Sequence, residues 1–143
     1  MRIGSPCITV FFGCFLAASG CSTDVSEPTT DAPARHYQAA MAAHHLWNGV
    51  WEGERILPEG WVEFVSTPAP GASNKNYGGL FWLNRGGSLD RVPEDAFWAA
   101  GFMGQTTMII PSRDMVVVRL GPSPGDYNAY LNEVVGRVLD AIK

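Results

Sequence analysis

Between two strand-like runs of this 143-residue chain stand Gly101-Phe102-Met103-Gly104-Gln105. The two glycines leave the backbone bare, which suits close approach of a ligand to a strand edge, or simply the shaping of a strand end. Residues able to do acid–base or metal chemistry are spaced less well elsewhere. His44 and His45 are adjacent, so on a helix they point in different directions and make a poor metal pair; packing or surface roles are expected of them. Glu52, Glu54 and Glu59 show no spacing suited to paired-carboxylate catalysis. Those three, like Asp90, Glu94 and Asp95, read as solvated loop charges. With no phosphate loop and no metal signature, neither a cofactor nor a metal site is expected.

The elements that would hold the Gly101–Gln105 loop are legible around it. Ala96 to Ala100 and Gln105 to Ile110 are strand-like, and Met115 to Leu120 is a β-branched run typical of a buried strand. The link Pro111-Ser112-Arg113-Asp114 fits a hairpin. Asp126 is placed to cap a helix with Tyr127, Tyr130, Leu131, Val134, Val135, Val138, Leu139 and Ile142 at helical spacing. Upstream, the Ala-rich run His36 to Trp47 predicts a helix stopped by Asn48-Gly49. Trp51 to Arg55 reads as a loop, and Leu57 to Val65 as a short helix with Pro58 in its first turn. Tyr77 to Leu83 reads as a strand.

Composition bounds the rest. The length allows one domain, and 46% hydrophobic against 17% charged residues is too apolar for a disordered chain. A net charge of −4 with no run of Lys or Arg argues against nucleic acid and against electrostatic binding to an anionic membrane. Five Trp, seven Phe and four Tyr call for a packed core or an aromatic-lined surface. Ile3 to Gly20 carries no charge and follows a single Arg2, so residues 1–20 are read as a secretory signal. Leu16-Ala17-Ala18-Ser19-Gly20-Cys21 resembles a bacterial lipoprotein box with Cys21 as the lipidated residue; a plain signal peptide and a membrane anchor or misassigned start are the other readings. Residues 21–35, small and polar with two prolines, form a flexible linker, and residues 36–143 form the domain. This places the chain outside the cytoplasm, in the cell envelope or periplasm, on a membrane through its lipid. Without residues 1–20, Cys21 is the last cysteine, so the domain holds no disulfide.

Trp47-Asn48-Gly49-Val50-Trp51-Glu52-Gly53-Glu54-Arg55-Ile56-Leu57-Pro58-Glu59-Gly60-Trp61 opens a series of motifs. Tyr77-Gly78-Gly79-Leu80-Phe81-Trp82, the Gly101–Gln105 loop, Pro111-Ser112-Arg113 and the closing helix follow in order. The series is similar to the C-terminal part of serine hydrolases of the β-lactamase (class C-like) and penicillin-binding protein superfamily, over roughly residues 44–143. The resemblance implies an α+β fold in which a partial antiparallel sheet of about three strands is packed by a C-terminal helix, a remnant of the β-lactamase-like fold. It also implies an ester, amide or lactam as small-molecule ligand, hydrolysed in intact relatives through a serine acyl-enzyme. There, Ser-x-x-Lys supplies the nucleophile and its activating Lys, and Tyr-x-Asn or Ser-x-Asn a second proton-transfer group. Lys-Thr-Gly or His-x-Gly lies on the strand beside the cleft. The parts are needed together, because a serine hydroxyl is a weak nucleophile without a base in hydrogen-bond reach.

Ser-x-x-Lys is absent from this chain. Ser73-Asn74-Lys75 is one residue too short, and Ser88-Leu89-Asp90-Arg91 ends in Arg, which cannot act as a base. Tyr130-Leu131-Asn132 matches Tyr-x-Asn but falls inside the C-terminal helix, with Tyr130 expected on its apolar face. Phe102-Met103-Gly104 occupies the third triplet, with Phe102 where Lys or His would donate. The expectation is therefore a cleft wall at Gly101, Phe102, Met103, Gly104 and Gln105 with no catalytic residue, in a truncated hydrolase inactive alone. The alternative is a non-catalytic envelope lipoprotein that binds a ligand or partner protein through that edge and its aromatics. The run Met115 to Leu120 needs cover on both faces; the C-terminal helix supplies one, and the Ala-rich helix or a partner chain must supply the other.

Overall fold

The computed structural model describes residues 8–13, 42–122 and 125–142. Cys7, Cys14 and Cys21, the linker at 21–35 and residues 36–41 of the expected Ala-rich helix lie outside the described residues.

The chain is α+β. Its sheet runs in the order β1 (Ile8–Gly13), β7 (Met115–Leu120), β6 (Thr106–Ile110), β5 (Phe97–Ala100), β4 (Trp82–Leu83). β4 to β7 pair antiparallel, one strand more than the three expected, and β1 lies parallel to β7 with Ile8 opposite Met115 and Gly13 opposite Leu120. The helices are α1 (residues 42–46), α2 (Trp61–Ser66) and α3 (Tyr127–Ala141). β1 falls within the apolar stretch read as a secretory signal; the composition that suits one suits a strand equally. Among the described residues no helix is long and apolar enough to cross a membrane.

β7 is apolar from Met115 to Val118, where both its faces are buried, and carries one charge, Arg119, near its end. Met115 and Val117 pack with Met108, Ile110 and Trp98 against Leu131, Val135 and Leu139 of α3. Val116 and Val118 pack with Ile109, Phe97 and Leu83 on the opposite face, under Ala42 of α1 and Val65 of α2. The second face thus has its cover from within the chain, by the helix the Ala-rich run predicted together with α2. Fully burying a Val, Leu, Ile, Phe or Met side chain in these layers contributes about 1.5–3 kcal/mol.

Four local expectations change. Trp51 to Arg55 is not a plain loop but a hairpin, β2 (Val50–Trp51) with β3 (Glu54–Arg55), turned at Glu52 and Gly53, both at positive φ. α2 starts at Trp61 rather than Leu57, since Gly60 at φ 76 interrupts the backbone before it. The strand expected from Tyr77 shrinks to Trp82–Leu83 because Leu80, at φ 73, bends the chain, leaving a single bridge between Tyr77 and Trp82. On α3, Asp126 caps as expected, accepting from the amides of Asn128 and Ala129 at 3.0 and 3.1 Å. Tyr130 is not on the buried face: it is half exposed, as are Tyr127 and Ile142.

Candidate functional site

β5 carries its apolar residues inward in pairs, Phe97 to one core layer and Trp98 to the other, then runs out of the core at Ala99 and Ala100. β4 pairs only with Phe97 and Trp98, so no described strand follows the outer edge of β5 beyond them. The chain then makes a 3-10 turn at Phe102–Gly104 and returns as β6. Gly101 donates its amide to the Gln105 carbonyl at 2.7 Å, which closes the turn, and the Gln105 side chain donates to the Phe102 carbonyl at 3.3 Å. The five residues singled out in the sequence are therefore brought together, as the turn joining β5 to β6. Beside them, Ala99, Ala100, Gly101, Gln105, Thr106 and Thr107 line a shallow depression of about 330 Å³.

Two further residues hold this turn. Arg119 of β7, only 3% exposed, donates to the carbonyls of Gly104 at 2.6 Å and Gly121 at 2.9 Å, and its guanidinium lies 5.0 Å from the centre of the Tyr130 ring. Tyr127 packs on Gly104 so closely that a Cβ there would come within 2.6 Å of its ring, and Gly104 has φ +80. Glycine suits that position on both counts, since any other residue is strained at that φ and must displace the Tyr127 ring. Met103 also takes a left-handed φ of 55, and Phe102 projects into solvent, 82% exposed. The signal for Arg119 was present in the sequence as a lone charge closing an otherwise apolar run. Its target, fifteen residues upstream, was not.

The depression is lined by Ala, Gly, Gln and Thr, so it offers hydrogen bonds and a bare backbone but no group that titrates near neutral pH. Such a surface can bind and orient; it cannot activate a hydroxyl.

The other candidates lie elsewhere, some engaged and some exposed. Ser73-Asn74-Lys75 forms an exposed 3-10 turn. Ser88 donates to Asn84, a fully buried side chain whose Nδ2 donates to the carbonyls of Leu89 and Val92 and whose Oδ1 accepts from the Leu89 amide. Arg91 pairs with Glu133 at 2.5 Å and Asp140 at 2.7 Å on α3. Asn132, from the Tyr-x-Asn match, accepts from the Arg91 amide and donates to Asp90, so it ties the loop to α3. The adjacent histidines part company: His44 packs 5.5 Å from the Trp51 ring and His45 5.0 Å from Phe81. Asp95 accepts from the amide and hydroxyl of Ser112, and Glu52, Glu54, Glu59 and Glu94 are exposed. Among the described residues no three His, Cys, Asp or Glu are grouped to hold a metal ion.

No protein-family model matches the chain, and no curated protein matches it.

Proposed function

We propose that this chain supplies the cleft wall of a serine hydrolase of the β-lactamase (class C-like) and penicillin-binding protein type, and that it does not acylate by itself. The observation that carries the reading is the depression beside β5: a bare strand edge and a tightly held turn, lined by residues none of which can serve as a base. The order β5, turn, β6, turn, β7, α3 supports it, being the order of the motifs that resemble that superfamily. In this role Ala99 to Gly101 offer their backbone to an ester, amide or lactam, and the nucleophile comes from outside the chain. Purified protein is expected to leave nitrocefin and p-nitrophenyl acetate unhydrolysed above the buffer rate. Turnover at serine-hydrolase rates overturns the reading.

Phe102 favours a second reading. A side chain 82% exposed, at the position where a donor would meet a polar substrate, suits contact with an apolar ligand or partner protein. On that reading the chain is a non-catalytic envelope lipoprotein. In both, we propose export and lipidation at Cys21; radiolabelled palmitate is expected to enter the wild type and not Cys21→Ser. Cleavage before Cys21 would remove β1 and open the outer edge of β7.

A further inference from the structure

On the side of the molecule built by α2 lies a groove of about 780 Å³. One wall is α2 with Pro68 and Pro70 behind it, and the other is the 77–80 loop. Its apolar lining is left in water: Phe64 is 61% exposed, Leu80 75% and Tyr77 37%. Leu80 holds φ 73, a conformation unfavourable to a residue with a Cβ, and presents its side chain to solvent rather than to the core. Strain of that kind persists only where the surroundings impose it, and it clusters at binding sites. The backbone of Gly79 lies directly against the Phe64 ring, so the two walls meet without a side chain between them. Glu63 is the charged residue of the lining, and its carboxylate pairs with no described residue.

We propose that this groove binds an organic cation, a ligand whose apolar body covers Phe64, Tyr77 and Leu80 and whose single ammonium or guanidinium group meets Glu63. The apolar walls alone would accept a neutral body as readily, and Glu63 selects the sign of the charge. The aromatic faces of Phe64 and Tyr77 favour a cation further, through their ring quadrupoles. A chain of net charge −4 adds to the preference against an anion.

Three probes that share one phenylbutyl body separate these contributions: 4-phenylbutylammonium, 4-phenylbutanol and 5-phenylpentanoate, titrated by calorimetry. The cation is expected to bind saturably and about tenfold more tightly than the alcohol, with the carboxylate weakest. Glu63→Gln is expected to bring the cation down to the alcohol. Leu80→Gly should weaken the cation while raising the thermal midpoint, because glycine relieves the left-handed backbone. Opposite movements of binding and stability rule out unfolding as the cause. Equal binding of the three probes, a preference that survives Glu63→Gln, or no saturable binding of the cation overturns the proposal.

Discussion

Arg119, Tyr127 and Gly104 come from three elements and meet at one turn, so the shape of the β5 edge rests on side chains far from it in sequence. Gly104 combines a positive φ with a ring at contact distance, and a larger residue there is strained and must displace the Tyr127 ring. Gly104→Ala is expected to lower unfolding free energy by about 2 kcal/mol, read from urea denaturation. A change within about 0.5 kcal/mol would mean that Tyr127 moves aside and that the turn is not held as described. At this scale the sequence located the turn, since its two glycines flag bare backbone. It could not show what grips the turn, because the Arg119 contact is closed only by pairing β6 with β7.

α3 is the element whose sequence and structure agree best. Leu131, Val135 and Leu139 recur on one stripe and bury it against β6 and β7, and Asp126 satisfies two amides at the helix start. Asp126→Ala is expected to cost about 1 kcal/mol in chemical denaturation. The opposite side of α3 is tied to the 84–95 segment by Arg91, Glu133, Asn132 and Asp140. The Glu133 carboxyl is held below the usual carboxylate range by hydrogen bonds from Arg137 and then Arg91. A lowered native pKa contributes stability above the ordinary carboxylate pKa, and that contribution is lost as pH falls through it and below. Glu133→Gln should therefore flatten the fall in stability from about pH 5 downward relative to wild type. Parallel acid titrations of the two proteins would contradict it. The short elements escaped the sequence for a physical reason: β2, β3 and β4 have two residues each, too few for any period, and are set by turns and by neighbours.

At the scale of the whole molecule, the sheet is sandwiched between α3 on one face and α1 with α2 on the other. Both layers were legible as apolar runs, and what the runs did not reveal was that α2 would share the second face with α1. The apolar stretch near the N-terminus carried two meanings, a signal segment or a strand, and six of its residues lie in the sheet beside β7. The proposed function assigns to this fold the wall of an acylation site and no nucleophile. Incubation with a fluorophosphonate and with a labelled penicillin, followed by intact-mass measurement, tests it most directly. An unchanged mass is expected with both reagents. A covalent adduct localised to one serine, Ser73 or Ser88 included, would contradict it.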